Sequence, residues 1–125
     1  MAFSLRVFFL LCGISGVFGS CRSGWTLRNN ECYIFEDNPV SYQGAKRNCE
    51  TLGAQLVTIN NTARHNYTLN EIRDANADVI VDTWIELTSQ GCGGSAVCAY
   101  IEDPAPAGVC STANCNVNKP YVCIM

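Results

Sequence analysis

Histidine occurs once in the 125 residues, as His65. Any catalyst that needs an imidazole base must use that one residue. Its neighbours Arg64 and Asn66 form no motif, so it reads as a solvent-facing helix residue. Charge is scarce as well: 15% of residues are charged, 8 basic against 11 acidic, for a formal net charge of −3. A nucleic-acid binder would carry a basic stripe, so that class is excluded. Cys-x-x-Cys spacing is missing, which disfavours dithiol exchange. The intervals Cys92 to Cys98 and Cys110 to Cys115 have no histidine beside them, which disfavours zinc. No apolar run after residue 19 approaches the roughly 20 residues that a bilayer span needs. Internal repeats and low-complexity linkers are also missing, and a 48% hydrophobic composition excludes a polar, disordered chain.

Cysteine, by contrast, is abundant, with nine copies. Met1 to Arg6 carries one positive charge, Val7 to Ile14 is a short apolar run, and Val17 and Gly19 give a small-x-small pattern. These are the three regions of a secretory leader. Residues 1–19 are therefore expected to be removed, leaving 20–125 as a single secreted, extracellular domain with no membrane span. Removal takes away Arg6 and Cys12. It leaves Cys21, Cys32, Cys49, Cys92, Cys98, Cys110, Cys115 and Cys123. An even set in an oxidising compartment reads as a closed disulfide framework, with no thiol left for an interchain bond. Counting alone does not choose among the many pairings.

Along the mature chain, Asn29-Asn30 predicts a hairpin turn between short apolar pieces. Cys32-Tyr33-Ile34-Phe35 is aromatic and β-branched, a strand. Asp37-Asn38-Pro39 is a turn signal, because Pro39 does not suit a strand interior. Ser41 is an N-cap for a helix carrying Tyr42, Ala45, Cys49 and Leu52 on one stripe, and Gly53 ends it. A second helix begins near Thr62, with a thin stripe of His65, Leu69, Ile72 and Ala75. Val79 to Leu87 is the strongest strand signal, followed by a glycine-rich loop, a strand at Ala99-Tyr100-Ile101 and a closing strand at Pro120 to Ile124. Strand, helix, helix and then strands make an α+β protein rather than an alternating βαβ one.

In this order the residues resemble the C-type lectin-like domain family. Gly24-Trp25 with Cys32-Tyr33-Ile34-Phe35 is similar to that family's opening hairpin and first strand. Ser41-x-x-x-Ala45-x-x-x-Cys49 is similar to its first helix, and Leu52-Gly53-Ala54-Gln55-Leu56-Val57-Thr58-Ile59 to the link that follows. Thr83-Trp84-Ile85-Glu86-Leu87 resembles its Trp-Ile-Gly-Leu strand, and Cys115 to Cys123 its terminal Cys-x7-Cys segment. The resemblance implies a disulfide-stapled fold of two helices packed on small antiparallel sheets. It also implies a connectivity of Cys49 with Cys123, Cys98 with Cys115, and Cys21 with Cys32. Cys92 and Cys110 then remain for each other, with exchange between that pair and Cys98 and Cys115 left open.

Sugar-binding members of the family hold Ca²⁺ through Glu-Pro-Asn or Gln-Pro-Asp in a long loop and Trp-Asn-Asp in a late strand, because Ca²⁺ needs six to eight oxygens. Here residues 88–97 contain no acid and no proline, and the stretch before Cys115 reads Cys110-Ser111-Thr112. The resemblance therefore implies recognition of an extracellular protein or other ligand without calcium, with calcium-independent glycan binding as the alternative. No cofactor, no metal and no catalytic activity are expected. The candidate ligand surface is the Thr88 to Thr112 region, with Tyr100, Glu102, Asp103, Ser111 and Thr112. Glu86 stands where the family has glycine and is expected to twist toward water. A hydrolytic role would have to draw on Glu86 or Glu102-Asp103, with His65. Asn60-Asn61-Thr62 and Asn66-Tyr67-Thr68 are N-glycosylation sequons flanking the second helix, at Asn60 and Asn66.

Overall fold

The computed structural model describes residues 20–86, 98–101 and 114–125. The expected leader at 1–19, and Cys92 and Cys110, lie outside them. Strands β1 (Thr26–Arg28) and β2 (Glu31–Val40) form a hairpin in which Thr26 faces Tyr33 and Arg28 faces Glu31. Its turn residues Asn29 and Asn30 have φ of 51° and 64°, the paired left-handed conformation of a two-residue hairpin turn, which asparagine tolerates. A disulfide joins Cys21 to Cys32 beside this hairpin.

Helix α1 (Tyr42–Thr51) starts at Ser41, whose hydroxyl accepts from the Gly44 amide. It ends where Gly53 takes a φ of 78°, as the stop signal requires. Strand β3 (Gln55–Leu56) leads to helix α2 (Thr62–Ala75), capped by the Asn61 side chain on the Arg64 amide. Strands β4 (Thr83–Ile85), β5 (Ala99–Ile101) and β6 (Lys119–Ile124) complete the described chain.

The described strands join one six-stranded sheet in the order β1-β2-β6-β4-β5, with β3 also on β6. It is a mixed sheet rather than a set of small antiparallel ones, because β4 runs parallel to β6 at Trp84 and Tyr121. Side chains alternate across a strand, and here the alternation divides two cores. Tyr33, Ile85, Val122 and Ile124 pack with Leu69 and Ile72 of α2. Leu56, Trp84, Tyr121 and Cys123 pack with Tyr42, Ala45 and Cys49 of α1. The two helices thus cover opposite faces of the sheet. Cys49 and Cys123 are bonded across the α1 side, with Cα atoms 5.5 Å apart and a sequence separation of 74.

Three expectations are corrected. The turn signal at Asp37-Asn38-Pro39 is a bulge within β2: these three residues lie between the pairs Glu36–Tyr121 and Val40–Lys119, opposite Pro120 alone. A bulge needs no ladder N–H from Pro39, which reconciles proline with the strand. The strand expected over Val79 to Leu87 is regular only at Thr83–Ile85. Its first residues are spent closing α2, through Ala77 and Asp78 at positive φ and bonds from the Asp78 and Val79 amides to Arg73 and Asn76; Val79 is left 55% exposed. His65 is not solvent-facing. It is 5% exposed, on the same buried stripe of α2 as Thr68, Leu69 and Ile72.

Charged clamps hold the hairpin to α2. Arg28 of β1 pairs with Glu71 at 3.1 Å and Asp74 at 2.7 Å. Arg64 of α2 pairs with Glu31 of β2 and also donates to the Thr58 hydroxyl. The Tyr33 hydroxyl lies against Glu31 at 3.5 Å. Burial, with the Glu31 charge adding to it, pushes the Tyr33 phenol up to about 12. Burial also raises Tyr121, partly offset by the amide of Asn48 bonded to its hydroxyl.

Two measurements follow. Replacing Cys49 and Cys123 together by alanine removes a long-loop closure and is expected to cost about 4–5 kcal/mol in denaturant unfolding. A phenol whose folded pKa is raised stays protonated while its unfolded counterpart ionises, so stability is intact below the ordinary value near 10 and falls as pH rises toward about 12. Tyr33→Phe should shift neutral-pH stability by no more than about 1 kcal/mol and flatten that alkaline slope. An unchanged slope, followed together with tyrosinate absorbance, would contradict the assignment.

Candidate functional site

Among the candidate ligand residues, Tyr100 is described, while Glu102, Asp103, Ser111 and Thr112 lie outside the described residues. Tyr100 sits half-buried on β5, directly opposite Trp84 of β4. Their rings meet edge to face, with centroids 6.1 Å apart at 88°. Trp84 is fully buried, and its indole N–H donates to the Val40 carbonyl at 2.8 Å, at the end of the β2 bulge. On its other side Trp84 meets Tyr42, with centroids 5.6 Å apart at 72°.

Lys119 completes the cluster. Its ammonium lies 4.3 Å from the centre of the Tyr100 ring and 5.4 Å from that of Trp84. It also pairs with Asp82 at 3.6 Å, and its side chain is only 13% exposed. The ring faces supply negative quadrupole density and Asp82 supplies charge, so the cation is held without a full water shell. Sequence reasoning missed Lys119 and Asp82. The signal was present in the alternation of β6, where Lys119, Tyr121 and Cys123 share one face, the Trp84 face.

Glu86 is more enclosed than expected, with its side chain 25% exposed. The Tyr42 hydroxyl lies 3.4 Å and the Lys46 ammonium 3.5 Å from its carboxylate. The Glu86 amide donates to the Val57 carbonyl at 2.7 Å, which holds the residue in place. His65 belongs to the α2 core on the opposite side of the sheet from Trp84. The structure therefore does not assemble Glu86 and His65 into one constellation. No cluster of three or more His, Cys, Asp or Glu suited to a metal occurs among the described residues.

The cluster is anchored from below. Cys98, which opens β5, is bonded to Cys115, with Cα atoms 5.8 Å apart. The Cys115 carbonyl accepts from the Tyr42 amide at the start of α1. The exposed Asn60 and Asn66 lie on the other side, at α2.

No protein-family model matches the chain. It is 27% identical over 133 residues to dromaiocalcin-2 of Dromaius novaehollandiae, covering 82% of this chain and 94% of that protein. It is 28% identical over 120 residues to human C-type lectin domain family 2 member B, covering 82% of this chain and 74% of that protein. Human lithostathine superposes with a TM-score of 0.70 at 18% identity, over 90% of this chain and 95% of that one. EMS16, an antagonist of the collagen receptor integrin alpha2beta1, superposes at 0.67 with 18% identity, over 85% of this chain and 98% of that one. A calcium-independent type II antifreeze protein superposes at 0.58 with 18% identity, over 84% and 93%.

The Lys119 cage makes a graded prediction for denaturant unfolding. Lys119→Met keeps the stem but removes the cation from two aromatic faces, and should cost about 1–2 kcal/mol. Asp82→Asn removes a half-exposed ion-pair partner and should cost less than about 1 kcal/mol. Equal costs would place the energy in the ion pair rather than in the rings.

Proposed function

We propose that this chain, a member of the C-type lectin-like domain family, is a secreted recognition module. It binds an extracellular protein without calcium, and it is not an enzyme. The observation that carries this reading is the Lys119 cage. Lys119 already lies over the ring of the half-buried Tyr100, where a sugar ring would stack, and the fully buried Trp84 offers no stacking face. What remains is a half-buried tyrosine beside a cation and a carboxylate, held by Cys98–Cys115 and by the indole bond to Val40. Rigid tyrosine with mixed charge suits a protein interface, because little side-chain freedom is lost on binding.

Two neighbours support the reading at the level of the fold. EMS16 is named for antagonism of a receptor protein, and the antifreeze protein is named for calcium independence. The leader expected at 1–19 and the disulfides support an extracellular location, and the described residues contain no helix long and apolar enough to cross a membrane. Glu102, Asp103, Ser111 and Thr112, the other candidate ligand residues, lie outside the described residues. Ser111 and Thr112 hydroxyls favour the second reading, calcium-independent glycan binding.

The test is binding of the secreted chain to a glycan array and to an array of purified extracellular domains, each with and without chelator. The expected result is a protein ligand whose signal survives chelation and falls more than about tenfold, the effect of a central contact residue, in Tyr100→Ala. Chelator-resistant glycan signal without a protein ligand would favour the second reading. Signal abolished by chelator would overturn calcium independence.

A further inference from the structure

We infer that the outer face of α2 is a glycosylated face whose two sequons differ in when they can be used: Asn60 before or after folding, Asn66 only before α2 closes. The inference rests on the extracellular reading above, since the modifying enzyme works in the secretory lumen. Transfer forms a bond from the asparagine amide nitrogen to the first carbon of a lipid pyrophosphate-linked oligosaccharide. The carbon–oxygen bond to the pyrophosphate breaks, the pyrophosphate leaves with the electron pair, and the amide gives up one proton. The enzyme also grips the hydroxyl two residues beyond the asparagine, so both side chains must be reachable together.

At the first sequon both are. Asn60 and Thr62 are exposed in the segment that enters α2, and the Asn60 side-chain carbonyl accepts a bond from neighbouring Asn61. At the second they are not. Asn66 is exposed on the solvent stripe of α2 with Ala63 and Asn70, but Thr68 is 0% exposed. Its hydroxyl donates to the Arg64 carbonyl one turn back, at 2.8 Å. A helix also holds residues 66 and 68 on different faces. The folded protein therefore displays the Asn66 amide and hides the hydroxyl that completes its sequon. The glycans would stand on the α2 side of the sheet. Tyr100 and Lys119 belong to the α1 side, so the recognition surface stays uncovered.

The test expresses the full chain in a secretory eukaryotic host with Asn60→Gln and Asn66→Gln, both at exposed positions. Mobility is read before and after treatment with the amidase that releases N-glycans. Asn66→Gln is expected to run as one fully glycosylated band. Asn60→Gln is expected to give a doublet, one glycan and none. A membrane-permeant reductant added during synthesis delays disulfide closure, and should move the intracellular Asn60→Gln doublet into its upper band. Secreted, disulfide-bonded wild type that the amidase does not shift would overturn the inference while leaving the extracellular reading intact. So would an Asn60→Gln chain that is fully glycosylated without reductant. Retention in the cytosol, unmodified and reduced, would overturn both.

Discussion

Strand β6 cannot slide. It lies between β2 and β4, also carries β3, and is bonded through Cys123 to Cys49 of α1. A one-residue slip in a strand sends every side chain to the wrong face. Here that would drive Tyr121 and Cys123 into the α2 core and Val122 and Ile124 into the α1 core. The covalent bond fixes which face Cys123 uses, and the face of Cys123 fixes the rest. A domain of this size has a limited apolar core, so a register held by a bond spanning 74 residues is a constraint on which both layers depend.

The candidate site inherits that register. Lys119 reaches Trp84 and Tyr100 because it is two and four residues from Tyr121 and Cys123 on the same strand face. Trp84 in turn is oriented by the Val40 carbonyl, which the β2 bulge delivers opposite Lys119. The candidate site is thereby placed on rigid elements.

The helices and the hairpin were legible because their signals are local. Ser41, Gly53 and Asn29-Asn30 act through their own backbone conformations and nearest bonds. The family resemblance followed from motifs in the right order, and the fold agrees with it. Other features were hidden because they depend on distant partners. Pro39 looks like a turn until β6 lies beside it and absorbs the extra residues as a bulge. Val79, Ile80 and Val81 have strand propensity, but the left-handed exit of α2 at Ala77 and Asp78 leaves them without ladder partners. His65 is the exception: it reads as solvent-facing for want of a motif, although its helical phase with Leu69 and Ile72, a local signal, buries it. Lys119 and Asp82 meet only through the parallel pairing of β4 with β6, which no local pattern announces.

The hairpin edge has a further consequence. Strand β1 is the outermost strand on its side and is three residues long, ending in Arg28, whose guanidinium is turned back onto Glu71 and Asp74. An open edge is a template onto which another chain can add a strand, and length is what makes such addition stable. Three residues, with a cation at the end and the Cys21–Cys32 loop beside them, offer too short a ladder for that. This edge is therefore poorly suited to strand addition by a second copy, and needs no helix to cover it.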